Sequence, residues 1–121
     1  MADEQNITSA SEFFLGEDKT ITFTVYQSDG VTPQNLTGWA LSWMLKRSAS
    51  DEDADAVLTK TTVAGIALTT PLSGICTVTV ADTDTSTLRA RLYHHELKRT
   101  NDGYETVLAY GTCYLSRGVH Q

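Results

Sequence analysis

The sequence predicts an all-β domain in which two packed sheets enclose one core. Three observations carry that expectation. Apolar and polar residues alternate with a period of two, the alternating runs are rich in β-branched residues, and turn signals recur at intervals near the ~8–12 residues of a sandwich. No segment sustains a helical period, so the crossover helices of a βαβ fold are missing. A chain of 121 residues that is 40% hydrophobic fits one domain able to bury a core without staples.

The elements follow in order. Ile21, Phe23 and Val25 share one face of a strand, and Ser28-Asp29-Gly30 punctuates it as a turn. Residues 31–35 read as loop, and Leu36-Thr37-Gly38 leads into a strand over 39–46 with Leu41, Trp43 and Leu45 on one face. Residues 48–55 are small, polar and acidic, which suits an exposed loop. Residues 56–62 suit an edge strand, and 65–69 form a short strand closed by Thr70-Pro71. The run 74–80 alternates again, with Cys76, Val78 and Val80 opposed to Ile75, Thr77 and Thr79. The pattern breaks over 81–91, where Asp82 or Asp84 can cap a short helical turn and Leu88 packs inward. A strand over 92–99 returns through Thr100-Asn101-Asp102-Gly103, a strong hairpin signal, to a last strand over 106–115. Gly111 within it is expected to mark a bulge or a close approach. The result is about seven or eight antiparallel strands with one short helical turn.

The aromatic residues sharpen this to an immunoglobulin-like β-sandwich. Trp43 lies mid-strand where such domains carry their core tryptophan, and Tyr93 stands two residues before His95 like a tyrosine corner. Phe23 and His95 occupy the strands that carry the inter-sheet disulfide, so packing around Trp43 has to replace that bond. Residues 1–14 read as an N-terminal arm or edge strand and 15–121 as the sandwich domain.

Chemistry-bearing clusters are sparse. Nine basic residues are scattered among fifteen acidic ones for a net charge of −6, which excludes a clustered phosphate-binding surface and so argues against nucleic acid as a partner. No apolar run approaches a membrane helix, so no membrane partner is expected. The acidic start Met1-Ala2-Asp3-Glu4-Gln5 lacks the basic and apolar regions of a secretory signal, so synthesis inside the cell is expected. In that setting Cys76 and Cys113 read as buried free thiols, although a bridge between neighbouring strands stays open. His94 and His95 point to opposite sheet faces and have no third ligand at a suitable spacing, so no metal is expected. The acidic loop with Asp51, Glu52, Asp53 and Asp55 lacks the glycine and distal glutamate of a calcium loop. Asp82 and Asp84 are better explained as caps than as a paired-carboxylate acid and base. No nucleophile–base motif and no phosphate-cradling glycine loop is present. Neither catalytic residues nor a cofactor are expected, and the chain does not read as an enzyme.

Over residues 15–115 an ordered set of short motifs runs along the chain. It comprises Gly16-Glu17-Asp18, Asp29-Gly30, Asn35-Leu36-Thr37-Gly38-Trp39, Gly65-Ile66, Gly74 and the turn from Asp82 to Leu88. Tyr93-His94-His95-Glu96-Leu97, Asp102-Gly103 and Val107-Leu108 ahead of Gly111 complete it. In this set the chain resembles a family of phage tail proteins, the N-terminal domain of the baseplate upper protein and its prophage relatives. The resemblance implies an immunoglobulin-like sandwich that docks on neighbouring tail or baseplate proteins, with no catalytic residue to carry over. Members of that family often continue into further segments, and the acidic loop at 50–55 is not one of its marks.

The expected role is therefore a phage or prophage virion structural protein, a tail, baseplate or neck component acting through protein–protein docking. Its partners would be other tail or baseplate proteins or further copies of itself. Its place would be the virion, and the bacterial host cytoplasm during assembly. Phe13, Phe14, Trp39, Tyr110 and Tyr114 are the candidate contacts, because aromatics are enriched at interface centres. Two alternatives come from other classes. One is a carbohydrate-binding module stacking host-surface glycans on Trp39 and a nearby tyrosine; the other is a small hydrolase using the paired carboxylates.

Overall fold

A computed structural model of the chain describes Asp3–Glu4 and residues 17–27, 29–48, 50, 52 and 55–115. Eight strands follow in order: β1 (Asp3–Glu4), β2 (Lys19–Thr24), β3 (Leu41–Lys46), β4 (Leu58–Thr61), β5 (Ile66–Thr70), β6 (Ile75–Val80), β7 (Arg91–Arg99) and β8 (Thr106–Leu115). A 3-10 turn at Pro71–Ser73 joins β5 to β6, and a single helical turn, α1 (Asp82–Thr85), joins β6 to β7. One sheet has the order β1-β8-β7-β3-β4 and the other β2-β6-β5. All pairings are antiparallel except β1 on β8, which runs parallel. This is the immunoglobulin-like sandwich, with β2, β6 and β5 as its B, E and D strands and β8, β7, β3 and β4 as G, F, C and C′.

Alternation places Ile21 and Phe23 from β2, Leu41, Trp43 and Leu45 from β3, Cys76, Val78 and Val80 from β6, and Tyr93 and Leu97 from β7 in one core. His95 is buried among them. Its ring lies 6.0 Å from Phe23 and 6.1 Å from Trp43, centroid to centroid, and its Nδ1 accepts the Trp43 indole N–H at 3.2 Å. A hydrogen-bonded Trp43–His95 pair in one sheet thus packs against Phe23 of the other where immunoglobulin domains place a disulfide. The Tyr93 hydroxyl donates to the Arg89 carbonyl at 2.9 Å, which is the tyrosine corner. Cys76 and Cys113 are buried and unbridged. Burial pushes the Cys76 thiol up to about 11 and the Cys113 thiol up to about 12, the nearby Lys19 charge only partly opposing the latter. A thiol-specific disulfide reagent at pH 8 is therefore expected to label neither cysteine in the folded domain and both after denaturation. Labelling of the native protein at the denatured rate would contradict this packing.

Two details depart from the sequence expectation. The β-bulge falls at Leu108, between the pairs Leu97↔Ala109 and Lys98↔Val107, whereas Gly111 pairs with His95 in regular register. The cause is that Leu108 and Ala109 are both buried, and consecutive residues turn to the same side only where the ladder skips one. Leu36, expected in a loop lead-in, is fully buried. Asn35 makes this possible. Its Oδ1 accepts from the Thr37 N–H at 2.9 Å and the Thr37 hydroxyl at 2.7 Å, and the Trp39 N–H closes a turn on the Leu36 carbonyl at 3.0 Å. Gly38 supplies the φ of +80° that a type II turn asks of its third residue. The turn plugs Leu36 into the core and delivers Trp39 to the end of the sandwich.

Candidate docking surface

The outward face of the five-stranded sheet forms cross-strand rows set by register. Leu92 pairs with Tyr114; Lys46, His94 and Thr112 form the next row; Met44, Glu96 and Tyr110 form the one after. Leu92, Tyr110 and Tyr114 remain 44%, 44% and 40% exposed. Beside them a groove of about 380 Å³ is lined by Lys46, His94, Glu96, Val107, Tyr110 and Thr112 among others. Tyr110 thus borders a concave surface that also carries groups of both charges, and Leu92 and Tyr114 are exposed two rows along the same face, a mixture typical of protein interfaces. The fixed sheet holds these side chains in register before any partner arrives, which lowers the ordering cost of association.

Of the candidate contacts, Tyr110 and Tyr114 stand together on this face. Trp39 lies elsewhere. It is half-buried against the core at the end of the sandwich that carries the β2–β3 and β7–β8 loops. The Arg99 guanidinium carbon lies 4.0 Å from the Trp39 ring centroid and 4.6 Å from that of Tyr104, which is 62% exposed. The ring surface that sugar stacking would need thus already carries an arginine. Phe13 and Phe14 lie outside the described residues. Sequence reasoning missed Arg99 and Tyr104. They flank the Asn-Asp-Gly turn, and the only signal would have been an arginine and a tyrosine facing each other across that hairpin.

The acidic pair has structural duties. The Asp84 carboxylate accepts the Ala81 N–H at 2.7 Å and meets the Lys60 ammonium at 2.7 Å, tying α1 to β4. Asp82 is exposed; its own N–H donates to Asp18 at 2.8 Å, and its Oδ1 accepts from the Thr83 N–H. Partial burial alone would raise the Asp84 carboxyl. Its hydrogen bonds to Lys60 and Ala81 and the Lys60 charge outweigh that and hold it below its ordinary 3.8. A carboxyl depressed in the fold contributes stability above its ordinary value and loses that contribution as pH falls through the folded one. Asp84→Asn is therefore expected to cost about 1 kcal/mol at neutral pH. The difference from the parent should shrink as the pH falls below the ordinary carboxylate range and through the depressed carboxyl of the fold. Chemical denaturation at several pH values reads this directly, and a pH-independent difference would refute it.

Among the described residues no cluster of three or more His, Cys, Asp or Glu side chains could hold a metal ion. No helix among them is long and apolar enough to cross a membrane. Compared with known proteins, the sequence matches no protein-family model and no curated protein.

Proposed function

We propose that this chain is a structural component of a phage or prophage virion, in the tail, baseplate or neck, and that it works by docking on neighbouring proteins. The observation that carries the docking part is the exposed Leu92, Tyr110 and Tyr114 strip beside the groove, held on a rigid sheet. The virion part rests on the ordered motifs over residues 15–115. One of them, Asn35-Leu36-Thr37-Gly38-Trp39, is the turn that plugs the core and positions Trp39. The partners are then other tail or baseplate proteins, or further copies of the chain. Repetition around a symmetric particle multiplies a modest pairwise affinity, so a surface of a few anchors is sufficient.

Mass spectrometry and immunogold microscopy of purified particles test the assignment, and particles without the chain would overturn it. Tyr110→Ser with Tyr114→Ser tests the surface. Each truncation at an interface anchor is expected to cost about 1–2 kcal/mol of binding, enough together to remove the chain from particles. The melting temperature should stay near that of the parent, because both rings are already substantially in water. Normal incorporation of the double variant would place the docking surface elsewhere.

A further inference from the structure

The loop end of the sandwich holds an arginine fixed in advance and left with donors to give. Arg99 Nε donates to Asn101 Oδ1 at 2.8 Å, and that oxygen also accepts the Ala40 N–H at 2.9 Å. The Thr100 N–H donates to the Ala40 carbonyl at 2.8 Å and the Tyr104 N–H to the Asn101 carbonyl at 3.0 Å, so both loops share one framework. Trp39 and Tyr104 hold the guanidinium plane. Among the described residues its hydrogen bond is made through Nε, and no carboxylate lies within 4.0 Å of it. No buried side-chain nitrogen there lacks a partner, so on the half-buried Arg99 neither unbonded Nη group is sealed from solvent.

We propose that Trp39, Arg99 and Tyr104 form a receptor for an aspartate or glutamate carboxylate on a partner protein. This is a second surface, separate from the sheet face, and it stands whether or not the virion assignment holds. A guanidinium locked at Nε presents its Nη edge for a two-pronged hydrogen bond that matches the two carboxylate oxygens. Because the stack and Asn101 already restrain the side chain, little rotamer freedom is lost on binding. The exposed Tyr104 ring offers an apolar wall for the residue next to the acid, and Trp, Tyr and Arg are the types that dominate interface energies. Asp102 and Glu105 are exposed on the same loop. Their negative field opposes a phosphate dianion or a polyanionic nucleic acid more strongly than it opposes a single carboxylate.

The test uses the full chain, isotopically labelled, with NMR observation of the Arg99 Nε–H and Trp39 indole N–H signals. The probes are a blocked Phe-Glu-Phe amide, its Phe-Gln-Phe counterpart and inorganic phosphate. The glutamate peptide is expected to shift both signals saturably, at least about tenfold more tightly than the glutamine peptide or phosphate, and less tightly as salt is added. Arg99→Lys keeps the charge but loses the plane, and should weaken binding about tenfold. Absence of a saturable shift with the glutamate peptide would overturn the proposal, as would equal binding of the glutamine peptide. Equal binding of phosphate would also overturn it, by showing an unselective anion site. The peptide comparison needs no variant, so it holds even if Arg99→Lys disturbs folding. Failure here leaves the sheet-face reading intact, since that is read through Tyr110 and Tyr114.

Discussion

Trp43→Ala is expected to cost about 3–5 kcal/mol, a large share of the stability of a domain this size. The indole is fully buried and contacts the core from the centre of β3. Its loss opens a cavity between the sheets and strips His95 Nδ1 of its donor. These two contributions can be separated. Trp43→Phe keeps most of the apolar contact but takes the indole donor away from the buried imidazole, which costs about 1–3 kcal/mol by itself. Pairing Trp43→Phe with His95→Leu removes both ends of this hydrogen bond. The double variant should then be less destabilised than the sum of the single ones by more than about 0.5 kcal/mol. Urea unfolding of the four proteins gives the values. Strict additivity would show that the hydrogen bond contributes nothing beyond the packing.

Gly74→Ala is expected to be comparably severe, at about 3 kcal/mol, although it adds only a methyl group. Gly74 ends the 3-10 turn with φ +73°, and an added Cβ would run into the carbonyl oxygens of Val25 and Gln34. Those oxygens cannot yield cheaply. Val25 donates its N–H to the Gly74 carbonyl at 2.8 Å and accepts from the Gln34 N–H at 2.9 Å, so the clash falls on the bonds that close the end of β2. Gly38→Ala is the control. It meets nothing within 4 Å at φ +80°, so it should show only the left-handed penalty of about 1 kcal/mol. Equal destabilisation of the two variants would mean that the backbone around Gly74 adjusts freely.

Strand positions were most legible in the sequence where one face lies in the core and the other outside, as in β2, β6 and β7, and the alternation records that division. Tyr93 and Trp43 could be placed for the same reason, since the offset of two from Tyr93 to His95 keeps both on the buried side. What could not be read depends on which strand lies beside which. The Lys60–Asp84 pair joins β4 to α1, and Arg99 reaches Trp39 only because Leu41 and Arg99 are register partners. Leu36 looked like loop because a lone apolar residue between polar ones has no period, yet the asparagine turn around it buries it as deeply as any strand residue. Gly111 offered a bulge or a close approach as its reading, and the bulge falls instead in the unbroken apolar run Val107-Leu108-Ala109. The surface candidates were the least legible. Alternation placed Tyr110 and Tyr114 on one side of a strand, but only the assembled sheet sets Leu92 beside Tyr114 and the groove beside Tyr110.

The cluster of Phe23, Trp43 and His95 also decides how the domain answers a pulling force. A covalent staple at those positions would shield every residue between β2 and β7 from extension, however hard the ends were drawn. Here the link between the sheets at those positions is the Phe23–His95 ring contact, while the Trp43–His95 N–H···N bond ties β3 to β7 within one sheet. Once the pin slips, the intervening chain is free to pay out its full contour. When the load is removed, the same contacts can re-form without an oxidant or an isomerase.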